Sequence, residues 1–133
     1  MSTSPSEKIC LNWGHFRKNL STSFGSLREN KEFSDVTLVC GEGGQVEAHK
    51  VLLAASSPFF QNLLKTNIHS HPMIFLRGVK EEELLALIDF MYLGEAMIPK
   101  EDMDNLLALD KELNIKGLAS DVEDTTVVEE TKS

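Results

Sequence analysis

Early in the chain, apolar residues recur with the period of a helix. Trp13, Phe16, Leu20, Phe24 and Leu27 stand at spacings of 3, 4, 4 and 3. That spacing draws one stripe along a helix, with Arg17, Lys18, Asn19, Ser21 and Ser23 turned elsewhere. Gly14 and Gly25 weaken it. Ile9 to Asn12, just before, reads as a short strand. The period then drops to two. In Asp35 to Cys40, Val36, Leu38 and Cys40 alternate with Thr37 and Val39. Both faces are apolar enough to predict burial on two sides. Gly41-Glu42-Gly43-Gly44 is a turn, because glycine reaches positive φ at little cost, and Gln45 to His49 returns as the second strand of a hairpin.

Helical patterning then resumes. Val51 to Ala55 is apolar nearly all round, which predicts a buried helix. Ser57 can cap the next helix, Pro58 suits its first position, and Phe59, Phe60, Leu63 and Leu64 form its packing face. Thr66 to Pro72 reads as a polar loop and Met73 to Leu76 as a short strand. Lys80 to Leu93 is amphipathic, with Leu84, Leu87, Ile88 and Met91 on one stripe and Gly94 as its stop. Pro99 opens a last helix bearing Met103, Leu106 and Leu107, and Leu113, Ile115 and Leu118 carry the apolar pattern to its end.

The chain has 133 residues, enough for one domain. Residues 1–8 read as a loose polar end, 9–118 as the domain, and 119–133 as an acidic, disordered tail or linker. Net charge is −8, and the tail carries about half of it, with five carboxylates against Lys132. No basic stripe is present, so direct nucleic-acid binding by this chain is not expected. No apolar run approaches the roughly 20 residues of a membrane span, and the polar start lacks a secretory apolar core. Two cysteines, Cys10 and Cys40, make no disulfide framework and suit a reducing compartment.

Several segments together resemble the BTB/POZ family, specifically its insect Tramtrack/Bric-à-brac type. Cys10-Leu11-Asn12-Trp13, followed by Asn19-Leu20 and Phe24, is similar to the first strand and helix of that type. Phe33-Ser34-Asp35-Val36-Thr37-Leu38, Ala48-His49-Lys50, Ser57-Pro58-Phe59-Phe60 and His71-Pro72 match in order. So do Asp89-Phe90-Met91-Tyr92 with Gly94-Glu95, and Ile115-Lys116-Gly117-Leu118. The resemblance implies an α+β fold, a cluster of helices flanked by a small mixed sheet, with the N-terminal strand exchanged between subunits. It places Ile9 and Leu11 on the exchanged strand, Trp13, Phe16, Leu20 and Phe24 on the dimer helix, and Leu52 and Leu53 on a short helix sharing that interface. Asp35 and Lys50 match a charged pair in the central groove, where transcriptional co-repressors are expected. Two positions depart from the pattern. Asp110 stands where a small apolar residue is usual, so its carboxylate must be paired or exposed, and Gly41 to Gly44 loosens the hairpin turn.

Other constellations are weaker. His69, His71 and His49 invite a metal, but a closed zinc site wants four regularly spaced ligands, and the cysteines show no C-x-x-C pair. Cys40 near His49 imitates a nucleophile pair, yet sits in an apolar strand where a thiol is inert core. Asp102, Asp104 and Asp110 lack calcium-loop spacing. The glycine turn runs into a strand, unlike a phosphate loop. No cofactor and no catalysis are expected.

The Trp13–Leu27 stripe must be covered either by the chain's own core or by a partner, and periodicity leaves both open. The resemblance implies the partner: an interaction module that pairs with itself, building homodimers and higher oligomers such as hexamers. The expected setting is a transcription or chromatin regulator in the nucleus, with related BTB domains and co-regulators as further partners. The alternative is a substrate adaptor for a cullin-type ubiquitin ligase. Such adaptors carry a hydrophobic-x-Glu motif after the Ser-Pro helix, and Lys65 to His71 contains no Glu.

Overall fold

The computed structural model describes residues 7–67 and 69–119. The expected loose start lies mostly outside those residues, and the acidic tail does so almost wholly. Helix α1 spans Phe16–Glu29 and is followed by strands β1, Val36–Cys40, and β2, Gln45–Ala48. Helices α2, Lys50–Ser56, and α3, Pro58–Thr66, lead to β3, Met73–Leu76. Helix α4, Glu81–Leu93, and α5, Met103–Leu113, complete the order, with a single 3-10 turn at Lys100–Asp102 ahead of α5.

The sheet runs β2-β1-β3. β1 pairs antiparallel with β2, Leu38 facing Val46, and parallel with β3, Leu38 facing Ile74. As the centre strand, β1 is buried at all five positions. This explains why its alternation is blurred: a strand covered on both faces needs apolar residues on both. Gly43, at φ 86°, closes the hairpin, and the Cys40 N–H donates to the Gly44 carbonyl at 2.9 Å.

The core lies between this sheet and α2–α5. Leu38, Leu53, Phe60, Leu84, Leu87 and Ile88 are its largest buried apolar side chains. Ser57 is wholly buried, and its hydroxyl accepts the Phe60 N–H at 3.3 Å while donating to the Leu113 carbonyl. One hydroxyl thus caps α3 and ties it to the end of α5. Glu83 accepts the Lys80 N–H at 3.0 Å, which completes the start of α4. Gly94, at φ 80°, ends that helix. Asp110 is buried, and its carboxylate accepts the Ile115 N–H at 2.7 Å. Of the two outcomes expected for that residue, pairing is the one that occurs.

Residues 9–12 carry no strand in the single chain, where no second strand lies beside them. Two expectations are corrected. The first helix begins at Phe16, so Trp13 precedes it. Helix α2 is not buried all round. Leu53 is enclosed, but Val51 is 73% exposed and Ala55 is also open. Seven residues make two turns, and only one side of them meets the core.

Candidate interaction surface

Helix α1 contributes no buried residue to the fold. Exposure falls steadily along its apolar stripe. Trp13 is 58% exposed, Phe16 48% and Leu20 38%, whereas Phe24 is half-buried against the core. The stripe is therefore divided: its C-terminal part faces the molecule's own core and its N-terminal part faces outward. The Trp13 and Phe16 rings meet edge to face at 5.1 Å between centroids. Ile9 and Leu11, both 87% exposed, extend this open apolar ground.

Polar ties hold α1 to α4. Arg28 Nη1 lies 2.6 Å from Asp89 Oδ1, and the same guanidinium stands 5.5 Å from the Tyr92 ring centroid. The Ser21 hydroxyl donates to the Tyr92 carbonyl at 3.2 Å. Gly25 brings α1 close to α4, since a Cβ there would lie 3.4 Å from Leu93 Cδ2.

Among the α2 residues expected at the same surface, Leu52 is half-buried and packs on the core. Leu53 is fully enclosed, so no second molecule reaches it without opening the core. Val51 is the α2 side chain that faces outward, and its place in a short, uniformly apolar run concealed this.

The charged pair is also rearranged. Asp35 Oδ1 accepts the Lys50 backbone N–H at 2.8 Å, while Lys50 Nζ donates to the His69 carbonyl at 2.9 Å. Among the described residues the ion pairs are Arg28–Asp89 and Lys31–Glu47, so Asp35 and Lys50 are neighbours without being one. Asp35 serves instead as an acceptor at the start of α2.

The histidines are scattered. His49 is buried against Tyr92, His71 Nε2 lies 2.8 Å from Thr37 Oγ1, and His69 is exposed. No metal-holding group of three or more His, Cys, Asp or Glu occurs among the described residues. Cys40 is buried and Cys10 exposed. A cleft of about 310 Å³ between the β3–α4 turn and α5 is lined by Arg77, Lys80, Glu83, Asn105, Leu109 and Glu112. Its charges are of mixed sign, so it favours neither anion nor cation.

The BTB/POZ domain family model matches residues 24–129. The chain belongs to the BTB/POZ family. It is 39% identical over 117 residues to Protein bric-a-brac 1 of Drosophila melanogaster, a match covering 88% of this chain and 12% of that protein. It is 42% identical over 116 residues to the fly Longitudinals lacking protein-like, covering 87% of this chain and 91% of that one. The chain thus spans about an eighth of one relative and nearly all of the other. Both matches are longer than the span 24–129, so likeness to these fly proteins reaches beyond the family model. Among solved structures, the BTB domain of zebrafish PATZ1 superposes with a TM-score of 0.73 at 20% identity, covering 84% of this chain and 91% of that one. The BTB domain of human Gigaxonin does so at 0.72 and 21%, covering 84% and 92%. These two show the α+β BTB fold.

Tyr92 is the residue of this BTB domain that sequence reasoning undervalued. It stood inside a family match but was given no role. Burial pushes its hydroxyl above the ordinary phenol value, while the hydrogen bond from the His49 backbone and the Arg28 charge pull it partly back, and Asp35 raises it. The raised value means that Tyr92's contribution to stability is fully present below about pH 10 and is lost as pH rises through the folded value. The chain has one tyrosine, so phenolate absorbance reports Tyr92 alone. Ionisation of the native chain is expected to lag that of the denatured chain, and Tyr92→Phe is expected to remove this part of the alkaline loss. Coincident titration curves would contradict the assignment.

Proposed function

We propose that this BTB domain joins to copies of itself through the face that carries α1 and the N-terminal segment, and so acts as an assembly module. One observation carries the reading: Ile9, Leu11, Trp13, Phe16 and Leu20 are large, apolar and open in a single chain. Burying such side chains is worth roughly 1.5–3 kcal/mol each, hence about 10 kcal/mol gross for the set. Scattered apolar residues on a surface need no explanation, but a contiguous group does. A second copy is the occupant best fitted to it, because a two-fold contact sets the same stripe against itself. Ile9 and Leu11 then gain the strand partner that they lack in one chain. By the same resemblance Leu52 would join this interface, and Asp35 and Lys50 would mark the groove where co-regulators are expected to dock.

The biological setting follows from the Tramtrack/Bric-à-brac-type resemblance: a transcription or chromatin regulator in the nucleus, with related BTB domains as further partners. In such a protein, pairing through this domain raises the effective concentration of any attached DNA-binding modules, giving avidity without new contacts. Catalysis forms no part of this role.

Light scattering across a dilution series tests the proposal. A mass of two or more chains is expected at micromolar concentration, and six chains would reveal dimers assembled further. A stable, soluble monomer at that concentration would overturn it.

A further inference from the structure

The loop between α1 and β1 is strained. Lys31 at φ 55° and Phe33 at φ 62° occupy the left-handed region that residues with a Cβ avoid. Between them, the Glu32 carbonyl oxygen lies 2.7 Å from His49 Nε2. A carbonyl only accepts, so Nε2 carries the proton. In the neutral ring Nδ1 is then the acceptor, and the Tyr92 hydroxyl, 2.6 Å away, donates to it. The same hydroxyl accepts the His49 backbone N–H at 3.0 Å. Each ring nitrogen thus has one partner, and the Tyr92 hydroxyl both donates and accepts.

Tyr92 also meets α1 directly, through its carbonyl to Ser21 and its ring to Arg28. A single residue of α4 therefore touches α1 at Ser21 and Arg28 and, through His49, grips the loop where α1 ends. Since α1 has no buried residue, these ties matter more to its pose than they would for a core helix.

We propose that Tyr92 and His49 form a latch that holds the strained α1–β1 loop in place and thereby sets the angle at which α1 presents its apolar face. The latch stands without any partner. Its effect on assembly rests on the self-association reading above.

Hydrogen exchange on the whole chain tests the latch. In Tyr92→Phe, exchange at the Glu32 and Asp35 amides is expected to rise on the order of tenfold, while the β1 amides hold. An equal rise across β1 means general destabilisation and overturns the latch. Lys31→Gly relieves the strain itself. It is expected to restore protection in the Tyr92→Phe background and to do less in the wild type; equal effects in both backgrounds overturn the coupling. Should Tyr92→Phe fail to fold, Lys31→Gly alone decides. A raised thermal midpoint supports the stored strain, and an unchanged or lower one overturns it.

For assembly, Tyr92→Phe is expected to weaken self-association on the order of tenfold. Unchanged association alongside a loosened loop overturns the link to assembly. A monomeric wild type would overturn the self-association reading alone, because the exchange comparison does not depend on it.

Discussion

Leu20→Asp is expected to convert the assembly into monomers without unfolding the domain. Leu20 is 38% exposed in the single chain, so its carboxylate replacement stays hydrated there and the fold bears little cost. Against a second copy the same group would be stripped of water beside the apolar stripe. An unpaired charge buried at an interface costs on the order of 3–5 kcal/mol, which weakens association by about two to four orders of magnitude. The far-UV circular dichroism should be unchanged while the scattering mass falls to one chain. An unchanged oligomer mass would place the interface elsewhere. Loss of the helical signal as well would show that Leu20 supports the fold itself.

The second large effect is expected at Asp110. Its carboxylate accepts the Ile115 N–H at 2.7 Å, just past the point where Asn114, at φ 54°, turns the chain out of α5. Asp110→Ala removes the acceptor and leaves that buried N–H without a partner, a loss of about 1–3 kcal/mol. For a domain of this size the thermal midpoint should fall by roughly 5–10 °C. Asp110→Asn keeps an oxygen in the same place and should lose less than about 1 kcal/mol. Should the alanine variant match or exceed the wild type, the cost of dehydrating the carboxylate outweighs its hydrogen bond, and Asp110 is no stabilising cap.

These two residues show where sequence reasoning reaches and where it stops. Spacing put Leu20 on the stripe, because a helix turns by a fixed angle per residue and a stripe can be counted, and the resemblance put it on the dimer helix. Spacing did not reveal that the stripe divides near Leu20, since that depends on how far α1 overhangs α4. Asp110 was marked as out of place, and the choice between pairing and exposure was left open. The pairing came from Ile115, five residues on, brought back by a turn whose backbone angles spacing does not encode. Leu53 was assigned to a surface by the family resemblance, and its uniformly apolar neighbours offered nothing to contradict that. Which side of a two-turn helix meets the core is fixed by the sheet and α4, not by the helix's own composition.

By itself the chain determined its elements, its family and the stretch of apolar residues available for contact, because period, capping chemistry and turn residues act over a few positions and are written locally. Only the tertiary structure decided which of those residues remain open. It alone converted the Asp35–Lys50 pair into a backbone contact, and it alone drew α1, the strained loop and the start of α2 onto Tyr92. Each of these depends on the distance between side chains far apart in sequence, and packing sets that distance.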